Sequence, residues 1–373
     1  MLIGVPREIK DKEFRAGMVP ASVHELVKHG HQVLVQSGLG NGIGVSDADY
    51  QLAGASVVID AAEIFERAEL IVKVKEPQSQ EIPLLRKGQL LFTYLHLAPD
   101  REQTLGLLER GVTAIAYETV VGKDGGLPLL APMSEVAGRL AVQAGAYCLE
   151  RKNGGAGILL GGVTGVEAGK VVIIGGGTVG ENAARVAMGI GARVVLLDTS
   201  IARLKQLDNQ FGDRVQCLYS NQATLEQQVQ DAHLIIGAVL IPGAAAPKLL
   251  SAAQIKRLRP GTVLVDVAID QGGCFETSRP TTHSNPTYMI DGIVHYCVAN
   301  MPGAVPRTSS FALNNATLPY IVKLADMGWR RALRTDPGFL KGLNAHEGHL
   351  SIEAVAKAHQ LEYTPAEQLI ELR

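Results

Sequence analysis

The sequence predicts an α/β protein with two doubly wound domains, each built on a mostly parallel sheet, and a cleft between them. Three observations support this prediction. The chain has 373 residues, more than one hydrophobic core usually organises. Short apolar segments alternate with helical segments in two separate arrays, which is typical of right-handed crossovers between parallel strands. With 46% hydrophobic residues, 5% aromatic residues and 41 glycines, the composition is that of a globular protein with many tight turns.

The first array occupies the first 120 residues. Segments of helical period, such as 21–30 and 100–111, lie between short apolar segments that end in polar or glycine-containing turns. No glycine fingerprint follows any of these segments, so we expect that this domain does not hold a dinucleotide. The predicted strands are 2–5, 32–36, 56–59, 70–75, 89–95 and 113–118.

The second array begins after a helical stretch, 135–151, and a glycine-rich segment, 152–166. Beyond Pro306 the pattern is helical again, at 311–333 and 351–359, and we expect this tail to pack back on the first domain. The predicted strands of the second array are 170–177, 192–198, 215–220, 233–239, 262–270 and 293–300.

The most specific motif is "KVVIIGGGTVGENAARVAMGIGARVVLLD", residues 170–198, which reads as a dinucleotide-binding βαβ unit. Gly175 permits the tight turn, Gly177 lets the backbone approach a pyrophosphate, and Gly180 allows close packing of helix and strand. Asp198, at the end of the second strand, would accept hydrogen bonds from the ribose hydroxyls and repel a 2′-phosphate. A glycine-rich turn without a ligand is the alternative. The strand, the helix and the acid together favour a Rossmann-like domain that binds NAD rather than NADP.

Three ionisable residues follow three strands of the first array. Arg15 lies in the loop after the first strand, Lys75 ends "LIVKVK", and His96 follows "QLLFTYL". Parallel sheets bind ligands beyond the carboxyl ends of their strands, so we expect these side chains to share one rim. Without an intervening acid they would form a pocket for a small carboxylate. Taken singly, an exposed arginine, an edge-strand lysine and a structural histidine are the simpler interpretations.

Lys73 would share a sheet face with Lys75, one pleat deeper, and we interpret it as structural or supporting. Glu8, Glu13 and Glu76 are the candidate partners of these cations.

In the second array, "VDVAIDQGGCFE" places two acids around a strand end. Asp270 comes last and can reach the cleft, although a turn-forming role before Gly272 explains it nearly as well. Asp266 lies inside the strand, which favours a packing or capping role. Asn300 and Met301 end another strand at the same rim and could border a nicotinamide, or could belong to a plain linker.

Charge and cysteine content narrow the function classes. The formal net charge is −2, which gives no indication of a nucleic-acid or anionic-membrane partner. The four cysteines are far apart and form no CxxC pair, so we expect a reducing cytoplasm and neither disulfides nor a zinc site. No apolar segment approaches the ~20 residues of a spanning helix, and the N-terminus does not read as a signal peptide.

Several motifs, in their order around the fingerprint, give the sequence a close resemblance to bacterial alanine dehydrogenase from Met1 to about Asn344. The motifs that carry the resemblance are "KVKEP", "LFTYLHLA", "LPLLAPMSEVAGRL", "GAVLIPGAAAPKL", "VDVAIDQGGCFE" and "YCVANMPGAVP". The resemblance implies a homohexamer of two-domain subunits that interconverts L-alanine and pyruvate plus ammonium with NAD. The change of pattern near residue 130 and the helical tail beyond Pro306 predict a discontinuous substrate domain, 1–130 plus 307–373, and an NAD-binding domain, 131–306.

The resemblance implies a role for individual residues. Arg15 and Lys75 match the residues that hold the substrate carboxylate and keto oxygen, while His96 and Asp270 match the proton-exchanging groups. Met327 stands where some relatives have a histidine implicated in metal binding, so we predict no metal. The positions that match cofactor contacts, together with the fingerprint glycines, are Ser134, Gly175, Gly177, Thr178, Val179, Gly180, Asp198, Arg203, Ser220, Val239, Leu240, Val267, Ala268, Ile269, Asp270, Arg279, Val298, Ala299, Asn300 and Met301.

Two alternatives remain open at this point. A saccharopine or opine-type dehydrogenase would share the dinucleotide site but needs room for a larger substrate. A non-catalytic NAD(H)-binding protein, related to the NAD-binding domain of transhydrogenase, would have no reason to hold the lysine–histidine pair.

Overall fold

The computed structural model describes residues 1–239 and 246–371. The chain divides into two compact units, one formed by Met1–Met133 with Val305–Arg373 and the other by Ser134–Ala304. In chain order, the described strands are β1 (Leu2–Val5), β2 (Gln32–Gln36), β3 (Ser56–Val58), β4 (Leu70–Val72), β5 (Leu90–Thr93), β6 (Thr113–Ala116), β7 (Lys170–Ile174), β8 (Arg193–Asp198), β9 (Val215–Tyr219), β10 (Leu234–Gly237), β11 (Val263–Asp266), β12 (Thr287–Ile290), β13 (Ile293–Tyr296), β14 (Leu343–His346) and β15 (His349–Leu350).

The helices connect these strands in the order that the alternation predicts. In the described part of the chain they are α1 (Pro20–Lys28), α2 (Asp47–Leu52), α3 (Ala61–Arg67), α4 (Arg101–Arg110), α5 (Ala131–Cys148), α6 (Thr178–Ile190), α7 (Ile201–Phe211), α8 (Gln222–Val229), α9 (Ala252–Ile255), α10 (Pro306–Met327), α11 (Trp329–Arg334), α12 (Pro337–Leu340), α13 (Glu353–His359) and α14 (Ala366–Leu369). Among the described residues, no helix combines the length and apolar character needed to cross a bilayer.

The sheet of the first unit has the strand order β15-β14-β6-β5-β4-β1-β2-β3. The strands β1 to β6 pair in parallel, whereas β14 pairs antiparallel with both β6 and β15. The C-terminal tail thus extends the first sheet, and Leu350 and Val355 pack into the same core as Leu91 of β5. This is how the tail returns to the N-terminal domain, as predicted.

The sheet of the second unit has the order β12-β13-β11-β10-β7-β8-β9, in which only β12 runs antiparallel among the described strands. Its central strands are buried throughout, because helices cover both faces of a sheet of this kind. Both sheets therefore confirm the predicted fold class. In each sheet the loops after the parallel strands emerge at one edge, and these loops carry the candidate site residues.

Three predictions of secondary structure are wrong in detail. The predicted strand 70–75 ends at Val72, so Lys73 and Lys75 do not share a sheet face. The predicted helix 311–333 is interrupted at Gly328, whose φ of 75° suits a residue without a β-carbon. The strands β12, β14 and β15 are absent from the prediction, because short antiparallel strands have weak periodicity of their own.

Candidate active site

The loop after β1 lines one side of the first candidate site. Residues 7–15 of this loop and the turn at residues 38–42 enclose an open pocket of about 480 Å³. Glu8, Glu13 and Arg15 are among the residues that line it. The pocket mixes cations and carboxylates, as the sequence of this loop suggests.

Arg15 is buried, with 3% of its surface exposed, and Glu13 holds it in a two-pronged ion pair. The guanidinium Nε and Nη2 donate to the two carboxylate oxygens of Glu13 at 2.7 and 2.6 Å. Nη1 lies 3.2 Å from the sulfur of Met133. Desolvation alone would lower the pKa of Arg15, but the ion pair with Glu13 outweighs it and raises that pKa, so the guanidinium stays charged.

Lys75 lies three residues beyond the end of β4, on a segment that side chains hold in place. Glu8 accepts hydrogen bonds from the backbone N–H groups of Val74 at 2.6 Å and Lys75 at 3.3 Å. The Thr93 hydroxyl donates to the Lys75 carbonyl at 2.9 Å. The Lys75 ammonium is 3.8 Å from a Glu76 oxygen, and its side chain is only 12% exposed.

Lys73 is fully buried and its ammonium bridges two carboxylates, Glu8 at 3.0 Å and Glu81 at 2.9 Å. It is therefore a supporting residue, as the sequence interpretation proposes, with Glu8 as one of the predicted partners. The second partner, Glu81, was not predicted, because it follows a proline-containing turn that sequence spacing does not place.

His96 follows β5 in a left-handed backbone conformation, with φ of 48°, which is uncommon for a residue other than glycine. The Glu118 carboxylate stabilises this conformation by accepting from the N–H of Leu95 at 3.2 Å and that of His96 at 2.7 Å. The same carboxylate lies 4.0 Å from Nδ1 of the imidazole. The ring of Tyr94 lies parallel to the imidazole, with centroids 5.8 Å apart. Backbone strain of this kind is concentrated at functional sites.

The strand order places β1, β4 and β5 side by side, so Arg15, Lys75 and His96 leave neighbouring strands at one edge. The expectation that no acid intervenes is wrong. Glu13 pairs with Arg15, Glu76 lies beside Lys75, and Glu118 holds the backbone of His96. Glu13 and Glu76 are needed because Arg15 and Lys75 are largely buried, and buried cations without counter-charges would be strongly disfavoured. Sequence reasoning missed Glu118, although an acid directly after β6 at the same edge was a usable signal.

The glycine turn after β7 satisfies three different constraints. Gly175 has φ of 105°, and a β-carbon there would lie 2.7 Å from the Ala238 carbonyl oxygen. A β-carbon on Gly180 would lie 1.8 Å from the Gly175 oxygen, whereas one on Gly177 would meet no atom of residues 1–239 or 246–371 within 4 Å. Gly177 is also the N-cap of α6 and has no side chain, so the first N–H groups of this helix, from Thr178 and Val179 onwards, receive no side-chain cap from it. A pyrophosphate fits this arrangement.

Asp198 ends β8 beside this turn, and its carboxylate accepts from the N–H groups of Gly176 and Ser200, each at 2.7 Å. Arg203, on α7, donates to the Gly176 carbonyl at 2.7 Å and pairs with Glu181 at 2.6 Å. The acid and the glycine turn thus form one hydrogen-bonded unit. Each carboxylate oxygen has a second lone pair, which a ribose hydroxyl could use.

Asp270 is exposed on the loop after β11, and Asp266 organises this loop from beneath. The buried Asp266 carboxylate accepts from the N–H groups of Ala268 and Cys274 at 3.2 and 2.8 Å and from the Ser278 hydroxyl at 2.5 Å. Burial raises its pKa, although these hydrogen bonds oppose the effect. Asp266 therefore has the packing role favoured by its position.

The remaining cofactor candidates follow parallel strands at the same edge of the second sheet. Ser220 follows β9, Val239 follows β10, and Val298 to Met301 follow β13, where Asn300 has a left-handed φ of 62°. Val267, Ala268 and Ile269 lie on the loop after β11, Arg279 stacks on Tyr288, and Ser134 lies on α5. Leu240 lies outside the described residues.

Within residues 1–239 and 246–371, no group of three or more His, Cys, Asp or Glu side chains is arranged to hold a metal ion. The four cysteines, all in this part of the chain, are free thiols.

Two family models match the chain, the alanine dehydrogenase/PNT N-terminal domain over residues 4–137 and the corresponding C-terminal domain over residues 141–353. An alanine dehydrogenase of Halomonas elongata is 58% identical over 370 residues, 99% of this chain and 100% of that protein. One from Mycobacterium tuberculosis is 55% identical over 356 residues, 95% of this chain and 96% of that protein.

Comparison with solved structures agrees. An L-alanine dehydrogenase superposes with a TM-score of 0.94 at 54% identity, covering 96% of this chain and 99% of that one. A transhydrogenase from Sinorhizobium meliloti, at 22% identity over 95% of this chain and 100% of that one, has a TM-score of 0.81 and shares the fold. The chain therefore belongs to the alanine dehydrogenase/PNT family.

Proposed function

We propose that the protein is an NAD-dependent L-alanine dehydrogenase that interconverts L-alanine with pyruvate and ammonium. The observation that carries this proposal is end-to-end similarity to alanine dehydrogenases, at 52–58% identity over nearly the whole chain. The transhydrogenase likeness, at 22% identity, is far weaker and supports the fold alone. The first unit supplies the substrate site and the second holds NAD.

In the proposed site, Arg15 and Lys75 bind the substrate carboxylate and carbonyl oxygen. Buried cations attract a small anion strongly because little water screens them. Glu13 fixes the orientation of the guanidinium through two hydrogen bonds, so little side-chain entropy is lost when substrate binds. Lys75 also stabilises negative charge that develops on the substrate oxygen during the reaction.

When bound, NAD supplies the hydride acceptor for the α-carbon of alanine. Water adds to the resulting iminium, and loss of ammonium gives pyruvate. His96 exchanges protons with the reacting oxygen, a role that suits an imidazole near neutral pH. Asp270 acts as the second proton donor or acceptor. The other cofactor positions given by the resemblance, from Ser134 to Met301, surround the dinucleotide.

Absorbance at 340 nm tests the function. NAD with L-alanine should produce NADH, and NADH with pyruvate should be consumed only when ammonium is present. An enzyme of the saccharopine or opine type would instead require a second amino acid in place of ammonium. An NAD(H)-binding protein without catalysis would give no change under any of these conditions, and that result would refute the proposal.

Substitution of the two central residues tests the site. Lys75→Ala and His96→Ala should each reduce turnover at least a thousandfold while NADH still binds, because the nucleotide site lies in the other unit. Lys87→Ala is the matched control, since this lysine is exposed on the same unit. Turnover at the wild-type rate in both variants would refute the assignment of Lys75 and His96 to the active site.

We also propose a homohexamer in the cytoplasm, without a bound metal. The free thiols of all four cysteines support a reducing compartment. Sedimentation velocity should give six times the mass of one chain, and dialysis against a chelator should leave activity unchanged. A different mass would contradict the hexamer, and loss of activity after dialysis would contradict the proposal that no metal is bound.

A further inference from the structure

The segment after β4 is held in an unusual way. Beyond Val72 the chain leaves the sheet, yet the backbone polar groups of its next residues remain paired. Lys73 N–H still donates to the Phe92 carbonyl at 3.2 Å, and Val74 accepts from Tyr94 N–H at 3.3 Å. The N–H groups of Val74 and Lys75, by contrast, donate to a carboxylate instead of to a carbonyl of a neighbouring strand.

Glu8 is the centre of this arrangement. One of its oxygens accepts from the N–H groups of Val74 and Lys75, and the other bonds the Lys73 ammonium at 3.0 Å. Lys73 in turn bonds Glu81 at 2.9 Å, and the second oxygen of Glu81 accepts from Gln78 N–H at 2.8 Å. The two carboxylates thus accept hydrogen bonds from the backbone immediately before Lys75, at Lys75 itself and three residues after it.

The cluster of Glu8, Lys73 and Glu81 is almost completely shielded from water, with side chains 1%, 0% and 5% exposed. One cation faces two carboxylates, so the ionised cluster has a net charge of −1. Burial raises the pKa of Glu8, while the two carboxylates outweigh desolvation and raise the pKa of Lys73. Apolar side chains of similar volume often give equal or greater stability than buried ion pairs, so stability alone is a weak explanation.

We propose that Glu8, Lys73 and Glu81 are positioning residues that set the backbone of Lys75 and thereby the place of its ammonium in the substrate site. This inference rests on the proposed function of Lys75. The lysine side chain is long and flexible, so the positions that its ammonium can occupy depend on where the main chain holds the Cα atom. Glu8 fixes the N–H of Lys75 and Thr93 fixes its carbonyl, so the main chain of this residue is held on both sides.

Three variants test the proposal. Glu8→Ala removes the acceptor, Glu8→Gln keeps an amide oxygen for Val74 N–H but loses the charge, and Lys73→Met removes the cation at similar length. Glu66→Gln, on the exposed face of α3, is the matched control. For each we would measure the midpoint of thermal unfolding, kcat and KM for pyruvate, and the Kd of NADH by fluorescence.

The expected result is a split between readouts. In Glu8→Gln and Lys73→Met, kcat/KM for pyruvate should fall at least tenfold while the Kd of NADH stays within twofold. Glu8→Ala should be more severely affected than Glu8→Gln, because only the amide oxygen can partly replace the carboxylate. Values of kcat/KM within twofold of wild type, even with a lowered unfolding temperature, would show a purely structural cluster and overturn the proposal.

A second readout does not depend on turnover. Trace acetylation with acetic anhydride, followed by peptide mass spectrometry, reports the reactivity of Lys75 in the intact protein. It should change at least threefold in Glu8→Gln and remain unchanged in Glu66→Gln, and an unchanged rate in Glu8→Gln would overturn the proposal. An inactive wild-type protein would refute the function but leave this comparison decisive. Failure of both charge-removing variants to fold would also overturn the proposal, because the cluster would then be a requirement for folding.

Discussion

The turn after β7 and the helix that follows it offer a sharp test, because Gly177 before α6 and Gly180 and Gly189 within α6 differ in what surrounds them. Gly180→Ala would place a methyl carbon 1.8 Å from the Gly175 oxygen, whereas real contacts of this kind are essentially never under 3.0 Å. Gly177→Ala would meet no atom of the described residues within 4 Å, and its φ of −66° suits any residue. Gly189→Ala, near the end of the same helix, also meets nothing within 4 Å.

The magnitudes follow from these distances. Gly180→Ala must move α6 away from the strand by more than 1 Å, and overpacking of this degree costs about 3 kcal/mol or more. Gly189→Ala should stabilise the helix by about 0.5–1 kcal/mol, because alanine loses less backbone entropy than glycine. Gly177→Ala should leave stability unchanged but weaken NADH binding at least tenfold, or about 1.4 kcal/mol, because the methyl group occupies the approach of the pyrophosphate.

Thermal unfolding and fluorescence titration with NADH separate these effects. We expect Gly180→Ala to unfold at a markedly lower temperature, Gly189→Ala to match or exceed wild type in both assays, and Gly177→Ala to fail only in the titration. Wild-type NADH affinity in Gly177→Ala would refute the assignment of this turn to the pyrophosphate. Wild-type stability in Gly180→Ala would refute the packing argument.

Three further predictions concern single side chains. Asp198→Ala should weaken NAD and raise kcat/KM for NADP relative to NAD, measured with both cofactors, because the carboxylate no longer repels a 2′-phosphate; an unaltered preference would contradict that role. Glu118→Ala should lower kcat at least tenfold without changing the Kd of NADH, because His96 loses the acceptor that holds its left-handed backbone. Glu118→Gln should lower kcat less, and equal kcat in wild type and both variants would argue against a supporting role of Glu118. Burial lowers the pKa of His295 from its ordinary 6.5, so its contribution to stability is complete above pH 6.5 and is lost as the pH falls below that value, by at most about 1.4 kcal/mol per pH unit. The unfolding free energy of His295→Gln should therefore fall less than that of wild type between about pH 7 and about pH 5, and parallel curves would exclude this histidine as a contributor.

Most of the fold could be predicted because its signals are local. The central strands of both sheets are continuous apolar runs bounded by turns, and the fingerprint combines a strand, a glycine turn and an acid within 29 residues, 170–198. The short strands β12, β14 and β15 could not be predicted, since they have weak periodicity of their own, and β14 also depends on a partner, β6, that is distant in sequence. Only the folded chain brings β14 beside β6.

The sequence predicts the candidate site mainly as a group of cations, whereas in the structure Arg15 and Lys75 each lie beside a carboxylate. Lys75 and His96 could be singled out because each follows a strand that reads clearly in the sequence. Glu8, Glu13 and Glu76 could be named as candidate partners of the cations. Which cation each acid pairs with could not be assigned, and Glu81 and Glu118 could not be found, because these contacts join separate elements. The early end of β4 at Val72 was hidden for the same reason, since side chains replace the sheet hydrogen bonds there.

The sequence by itself determined the two-sheet architecture, the dinucleotide turn with its acid, and the residue types gathered beyond the strands of the first sheet. These properties depend on periodicity and on short spacings that any folded form of the chain must respect. The tertiary structure alone decided which carboxylate neutralises which cation, and how the backbone is held at residues 75 and 96. Charge pairing in a buried site depends on distances of a few ångströms between separate elements, and a linear sequence carries no such distances.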